Sequence, residues 1–379
     1  MTTIPDGGFA PEYPWNSPKF RERKDTPWTA GCRWLASWWR EQQGHAPGER
    51  NDISETVVGA KLPLDAEAED NFYSPKVITA LEDRVIYGDD YGVAPTEVLF
   101  RDLLDTQVLV FNLLGEFVSE PDALLPWVRT IDPDAMTVPA VRIAWGPDRY
   151  TRFDALIEYR TRVAARRRFL ALMCTYAENP AASKVTVKDK HVDATEASAA
   201  WRPGAARRLN RPQLRPLWLA TLASQSLDFD AGAVVSMACR ANTDALLATN
   251  FVRAELRDPD AALVASSFDA LLDATESWNP EWAAWFRRRY LDFSPVLGLL
   301  PADDPRRGGE PSAVPSEDLR RLVAVGQKVS GRRAAFKNVL KQLDTGVTDA
   351  AQVAALEARA SDLVADLEAF WEALAALDQ

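Results

Sequence analysis

The chain has 379 residues, of which 47% are hydrophobic and 26% are charged, a composition typical of soluble globular domains. No apolar stretch reaches the roughly 18 residues that a membrane-spanning helix needs, so we expect a cytoplasmic protein with no membrane partner. Three widely spaced cysteines and two histidines exclude a disulfide framework and a His-rich metal site.

The charge is distributed unevenly along the chain. The formal net charge is −11, but residues 142–215 contain 16 Lys and Arg against 7 Asp and Glu, a local net charge of +9. Because phosphate binding depends on Lys and Arg, this basic block predicts nucleic acid as a partner. The alternative is a solvated surface or a docking site for an acidic protein.

The N-terminal third is predicted to be mainly helical. Residues 1–30 are rich in Pro, Gly and charge and predict an extended arm. Tryptophans and leucines at helical spacing over residues 34–39 predict a helix, and residues 42–74 contain breakers typical of irregular structure. Ser74-Pro75 and Pro95-Thr96 are helix starts, and the second predicts one long helix that ends near Gly115.

The middle of the chain changes to strand-like patterns. Alternating or continuously apolar runs predict strands at residues 141–145, 152–159, 169–176 and 233–238. Helical segments are expected near residues 212–225, 243–256, 267–277 and 280–291. The order predicts an α/β domain over residues 31–300, with a small mixed central sheet flanked by helices.

The C-terminal region has a different pattern. Pro and Gly among charges at residues 301–315 predict a linker. Apolar residues at alternating spacings of 3 and 4 over residues 353–377 form a heptad seam. Residues 316–379 are therefore predicted to form an antiparallel helical hairpin or coiled coil, through which the chain could associate with itself or with another protein.

No P-loop, dinucleotide-binding glycine motif, nucleophile elbow or calcium loop is present. The strands at 152–176 remain as a candidate site. A metal-dependent nuclease holds Mg²⁺ with carboxylates and commonly adds a Lys that offsets negative charge. An Asp on one strand and Glu-x-Lys on the next satisfy this need, because side chains at i and i+2 share a face.

Several short motifs occur in a recognisable order. They are residues 39–41, 71–72, 110–115, 151–154 and 176–178 (WRE, NF, VFNLLG, TRFD and YAE), followed by residues 217–219, 268–272 and 289–293 (LWL, FDALL and RYLDF). Together they resemble a family of restriction endonucleases in the PD-(D/E)XK nuclease superfamily. The resemblance covers residues 30–295 and implies a restriction-endonuclease-like fold, Mg²⁺-dependent DNA cleavage and, by analogy, a setting in host defence.

The resemblance assigns Asp154 to the metal-binding Asp and Glu178 to a further acidic position. The Glu and Lys of Glu-x-Lys should fall at positions 173 and 175, where this chain has Met173 and Thr175. Thioether and hydroxyl groups are poor ligands for a hard cation. Asp154 could therefore retain a metal or be only a structural hydrogen-bonded group.

Three hypotheses follow. The first is a catalytically impaired nuclease fold that associates with nucleic acid, and its candidate phosphate-binding residues are Arg152, Arg166, Arg167, Arg168, Lys184 and Lys188. The second is an active Mg²⁺-dependent endonuclease with relocated catalytic groups, for which Glu158, Glu116, Lys184 and Lys188 are candidates. The third is an assembly or adaptor protein that acts through residues 316–379.

Overall fold

The structure, a computed structural model, describes residues 26–51, 54–87, 94–146, 152–162, 166–178, 183 and 185–299. The chain divides into two units, Met1–Pro311 and Ser312–Gln379, and all described residues belong to the first. Most of the predicted arm, the linker, the C-terminal hairpin and Lys184 lie outside the described residues.

The described residues form thirteen α-helices and seven strands. The helices are α1 Pro27–Gln42, α2 Ala68–Asn71, α3 Pro75–Tyr87, α4 Thr96–Arg101, α5 Thr106–Ser119, α6 Leu125–Ile131, α7 Asp189–Ala197, α8 Ala205–Leu209, α9 Arg215–Ser224, α10 Thr243–Ala254, α11 Pro259–Ala262, α12 Phe268–Thr275 and α13 Pro280–Phe286. The strands are β1 Gly48–Asn51, β2 Ser54–Val58, β3 Ala135–Trp145, β4 Phe153–Thr161, β5 Arg167–Thr175, β6 Ala231–Ala238 and β7 Leu263–Ser267. Among them, no helix is long and apolar enough to cross a membrane.

The main sheet has five strands in the order β3-β4-β5-β6-β7. The pairs β3–β4 and β4–β5 are antiparallel, whereas β5–β6 and β6–β7 are parallel. The predicted mixed central sheet with flanking helices is therefore confirmed. The strands predicted at 141–145, 152–159, 169–176 and 233–238 correspond to β3 to β6.

Helices cover both faces of this sheet. On one face the core includes side chains of α1, α3, α5, α12 and α13, and on the other it includes α8, α9 and α10. Strand β5 contributes Leu170 and Leu172 to the first core and Phe169 and Ala171 to the second. A strand covered on both faces needs apolar residues at nearly every position, which explains its continuous apolar run.

The prediction of one helix from Pro95 to Gly115 is wrong. Helix α4 ends at Arg101 and α5 begins at Thr106. The side chain of Asp102 accepts the N–H of Leu104 at 3.0 Å, and that of Asp105 accepts the N–H of Gln107 at 2.7 Å. Short Asp side chains compete in this way with helical hydrogen bonds, so that Asp105 becomes the N-cap of a new helix.

Gly115 lies inside α5 and does not end it, because the helix continues to Ser119. A Cβ atom at this position would lie 3.0 Å from Cα of Val77 on α3. The glycine therefore allows the two helices to approach closely. Its role is in helix packing and not in ending the helix.

Two further sequence expectations need correction. Residues 42–74 are not wholly irregular, because they include α2 and an antiparallel pair of strands, β1 and β2. Helix α1 begins at Pro27, three residues before the predicted end of the arm, and Thr26 caps it by accepting the N–H of Thr29 at 3.1 Å. Both differences lie in short segments, where turn residues dominate the sequence signal.

Candidate active site

Asp154 lies at the start of β4, at the end of the sheet where β5 ends. It is half-buried, and its Oδ2 accepts the backbone N–H of Cys174 at 2.6 Å. Burial raises the pKa of Asp154 to about 6; the hydrogen bond from Cys174 opposes this change and the nearby Asp105 adds to it. The carboxyl group therefore titrates near neutral pH.

A strained residue lies opposite Asp154 on the neighbouring strand. Ala144 has a φ of 51° and lies between the paired positions Ile143–Ala155 and Trp145–Phe153. Ile143 and Ala155 pack in the first core, whereas Trp145 and Phe153 pack with the second, so the usual alternation breaks here. A left-handed backbone is costly for alanine and is often retained at functional sites.

Arg84 of α3 holds this strained peptide in place. Its Nε and Nη2 donate to the carbonyl oxygen of Ala144 at 3.2 and 2.9 Å. Arg152 is close enough to Arg84 for the two cations to repel, and partial burial followed by this repulsion lowers the pKa of Arg152. Two guanidinium groups therefore lie at the end of the sheet that carries Asp154.

Helix α5 begins beside the same acidic group. Gln107 and Val110 of α5 line a cavity of about 170 Å³ together with Arg152 and Asp154. The N-cap Asp105 contributes a second carboxylate, and its pKa is raised by burial and by Asp102, against hydrogen bonds from the backbone of Val108 and Gln107. The sequence does not predict Asp105 as a site residue, because its position depends on the break between α4 and α5.

Glu178 lies three residues after the end of β5. Its Oε2 accepts the backbone N–H of Tyr176 at 2.9 Å, which turns the carboxylate back toward the strand end. Glu178 is accessible to solvent, but the protein atoms around its carboxyl group raise its pKa to about 7. Backbone N–H groups oppose this rise, and Asp154 and Asp105 add to it. The structure thus brings together Asp154, Glu178 and Asp105.

Glu178 and Asp105 line a cavity of about 460 Å³ that also contains basic side chains. Its walls come from α1, the turn after β2, the start of α5 and the end of β5. The lining residues are Thr29, Arg33, Val58, Ala60, Lys61, Asp102, Leu104, Asp105, Thr106, Ala177 and Glu178. Lys61 reaches this place through a bridge between its backbone and that of Asp102, a tertiary contact with no sequence signal.

Met173 and Thr175 occupy the strand positions where Glu-x-Lys is expected. Ala155 pairs with Leu172, and continuing this register by one residue places Met173 opposite Asp154. Met173 lines a separate cavity against α7 and α9, and Thr175 is half-buried at the strand end. At the level of Asp154, β5 therefore carries an apolar side chain and no carboxylate.

The other residues considered as relocated catalytic groups are Glu158, Glu116 and Lys188. The two glutamates are bound to other side chains. Glu158 is buried between Arg167 at 3.1 Å and Arg142 at 3.8 Å. Glu116 is buried and accepts a hydrogen bond from the hydroxyl of Ser74. Lys188 is exposed immediately before α7, at the edge of the cavity that contains Met173. Of these described candidates, only Lys188 lies near the Asp154 end of the sheet.

The predicted phosphate-binding arginines separate into two places. Arg152 lies beside Asp154, whereas Arg166, Arg167 and Arg168 lie at the opposite end of β5. Arg168 and Met173 are five residues apart, about 17 Å along a strand. Arg168 is 2.6 Å from Asp132 and Arg167 is paired with Glu158. Ion pairs therefore engage two of the three far-end arginines.

The described residues do not fit a resident Mg²⁺ ion. Among them, no three His, Cys, Asp or Glu side chains are arranged to hold a metal. The carboxylates of Asp154 and Glu178 each use one oxygen to accept a backbone N–H.

The main sheet is mixed and five-stranded, with Asp154 at the start of its second strand and further acidic groups where its third strand ends. This arrangement is that of a nuclease-like α/β protein. Residues 23–292 match the family model of the PD-(D/E)XK nuclease superfamily, and the chain belongs to that superfamily. No curated protein and no solved structure matches the chain.

Proposed function

We propose that this protein binds nucleic acid at the Asp154 end of its sheet and has lost the metal-dependent cleavage typical of its superfamily. The observation that carries this proposal is that β5, the strand next to that of Asp154, carries Met173 and Thr175 where Glu-x-Lys is expected, in a chain that belongs to a nuclease superfamily. The fold retains the nuclease framework, while the second metal-binding carboxylate and the lysine are replaced. A role in host defence is part of the proposal by analogy with restriction endonucleases.

Charge supports binding at this end of the sheet. Arg152, Lys188 and Lys190 line the cavity that contains Met173, and Arg152 also borders Asp154. Each cation that meets a phosphate releases condensed counterions, and therefore makes binding depend on salt. A backbone phosphate that approached Asp154 would meet these cations together.

Binding is tested by fluorescence anisotropy with labelled duplex DNA, single-stranded DNA and RNA over a range of salt concentrations. We expect affinity to fall as salt rises, and Arg152→Gln to reduce the log–log slope by about 1 because one phosphate contact is lost. Arg166→Gln, at the far end of β5, is the matched control and should leave the slope unchanged. A slope near zero for the unmodified protein would contradict nucleic-acid binding.

The loss of cleavage is tested separately, with plasmid and single-stranded DNA incubated with Mg²⁺ or Mn²⁺. We expect no nicking or linearisation by the full-length protein. Reproducible cleavage that disappears in Asp154→Asn would overturn the proposal of impaired catalysis while leaving nucleic-acid binding intact.

A second candidate is an active nuclease with relocated groups, and Lys61 is the observation that favours it. Lys61 lines the same cavity as Glu178 and Asp105, so an ammonium group is available near two carboxylates although β5 carries none. If this candidate is correct, Lys61→Gln should reduce DNA cleavage at least 100-fold, the scale of a lost charge-stabilising group. Lys76→Gln, which removes a lysine paired with Glu120 on the surface, is the control.

A further inference from the structure

A further cavity lies on the second face of the sheet, between β5, α7 and α9. Its volume is about 750 Å³, within the range of pockets that enclose small molecules. Strand β5 contributes Met173, α7 and the residues before it contribute one wall, and α9 contributes the other. The lining residues are Arg152, Met173, Val185, Thr186, Lys188, Lys190, His191, Ala194, Pro216, Leu219, Ala220, Leu222, Ala223, Gln225 and Ser226.

The polarity of this cavity is divided between floor and rim. Met173, Leu219 and Leu222 form an apolar, half-buried floor. Arg152, Lys188 and Lys190 are exposed at the rim, and no Asp or Glu is among the described lining residues. A ligand with a flat, weakly polar body and an attached anion matches this division, because each part meets its own kind of surface.

Lys188 and Lys190 lie close enough to His191 to act on it electrostatically. His191 lies in the same wall, and its pKa is lowered by burial and then by Lys190 and Lys188. Of the acidic residues on α7, Glu196 accepts the backbone N–H of Gly204 at 2.9 Å, on the side that faces α8. The described lining of the cavity therefore contains cations and no carboxylate, which favours a phosphate group.

The cavity also connects to the nuclease-like site through a shared residue. Arg152 lines both this cavity and the small cavity that contains Asp154. A nucleic-acid strand that passes Asp154 would therefore also pass the entrance of the larger cavity. Enzymes that act on nucleic acids commonly place one unstacked base in such a pocket, at a cost of a few kcal/mol for unstacking.

We propose that this cavity holds a single unpaired nucleotide of the bound strand, with its base on the floor of Met173, Leu219 and Leu222 and its phosphate at Arg152, Lys188 and Lys190. This inference rests on the proposed nucleic-acid binding. It deepens that function by naming what the protein recognises, an unpaired nucleotide. The preference for such a nucleotide would arise because a base that is already unpaired does not have to be extruded.

The first test compares a fully paired duplex with two matched duplexes, one containing a single unpaired nucleotide and one containing an abasic site in its place. We expect the unpaired nucleotide to strengthen binding about 10-fold, the equivalent of avoiding part of the unstacking cost, and the abasic site to remove that gain. Ala223→Phe, which fills the cavity from a half-buried position, should abolish the preference while paired-duplex affinity changes less than about twofold.

One lysine variant and one arginine variant distinguish binding at the cavity rim from binding to the general basic surface. Lys190→Gln should weaken binding of the unpaired-nucleotide duplex more than binding of the paired duplex. Arg166→Gln removes an exposed charge at the far end of β5 and should leave the preference unchanged. Equal binding of all three duplexes by the unmodified protein would overturn the cavity proposal and leave nucleic-acid binding standing.

The second test does not depend on strand binding. Deoxyadenosine 5′-monophosphate is titrated into the full-length protein by calorimetry, with deoxyadenosine alone and inorganic phosphate alone as comparisons. Binding of the nucleotide that is lost in Ala223→Phe supports the cavity, even if no duplex binds and the proposed function fails. No heat from the nucleotide, or equal affinity for inorganic phosphate, would overturn the inference.

Discussion

The surroundings of Asp154 favour the protonated form of its carboxyl group. The folded protein holds this proton at a pH where the unfolded chain has released it, because the pKa rises from an ordinary value near 4 to about 6. The stability of the fold therefore falls as pH rises from about 4 to about 7. A group that destabilises its own fold is a common feature of functional sites.

We therefore expect Asp154→Asn to be more stable than the unmodified protein at pH 8, by roughly 2 to 3 kcal/mol, and nearly equal to it at pH 4. Asparagine keeps an oxygen for the N–H of Cys174 but cannot ionise. Urea denaturation followed by circular dichroism at a series of pH values measures the difference.

Asp132 provides a control of opposite sign for this experiment. Burial favours its protonated form, but hydrogen bonds from Tyr159 and Arg168 outweigh burial and lower the pKa of Asp132. Its stabilisation is present at neutral pH and lost as pH falls through the lowered pKa. Asp132→Asn should thus destabilise the protein at pH 8. An Asp154→Asn protein that also lost stability at pH 8 would contradict the pKa argument.

At the scale of residues, counting back from residues 176–178 assigns the Glu-x-Lys positions to Met173 and Thr175, and this assignment stays a prediction. Asp105 and Lys61 could not be found in this way, because a helix break and a backbone bridge bring them to the site. Such contacts join segments that are distant in sequence and leave no periodic signal.

At the scale of elements, the contact between α3 and α5 depends on Gly115. A Cβ atom there would lie 3.0 Å from Cα and 3.1 Å from both Cγ atoms of Val77. Alanine should gain up to about 1 kcal/mol of helix propensity, but separating two packed helices costs about 1 to 3 kcal/mol. We expect Gly115→Ala to lower the free energy of unfolding by about 1 kcal/mol, measured by urea denaturation.

Gly298 supplies the comparison for this variant, because nothing lies within 4 Å of a Cβ atom added there. Gly298→Ala should leave stability within about 0.5 kcal/mol of the original, as surface substitutions usually do. If Gly115→Ala instead stabilised the protein, the helices would have room to separate and Gly115 would have no packing role.

The central strands β3 to β6 were easier to predict than the helix ends, although β1, β2 and β7 were missed. Strands β3 to β6 follow from alternating or continuous apolar runs, which record whether one face or both faces of the sheet are covered. The break between α4 and α5 was missed because the apolar stripe continues through it while Asp102 and Asp105 redirect the backbone. Hydrogen bonds of single side chains determined the element boundary, and periodicity alone does not contain them.

At the scale of the whole molecule, positive charge is concentrated in residues 142–215, while the other 305 residues have 28 positive and 48 negative charges. Within the basic block, Arg167 and Arg168 are paired with Glu158 and Asp132 at the far end of β5. Arg152 and Lys188 line the cavity that contains Met173, and Arg152 also lines the cavity of Asp154. The net charge of a segment therefore overstates the number of cations available to a phosphate. Position on the sheet determines which of them can share one ligand.

Residues 316–379 carry the last prediction, which concerns assembly. Their heptad seam buries apolar side chains only if another helix covers it, from the same chain or from a second copy. We propose self-association, because two copies would also present two basic sheet ends to one nucleic acid and so increase affinity through effective concentration. Light scattering should give a mass above that of the monomer for the full chain and the monomer mass for residues 1–315.

The same pair of proteins tests the consequence for binding. The truncated protein should bind a short duplex with unchanged affinity but a long duplex at least about 10-fold more weakly than the full chain, since only the long duplex can engage two sheet ends. An unchanged monomer mass for the full chain would reject self-association. The apolar seam would then have to be covered within the hairpin itself or by a different protein.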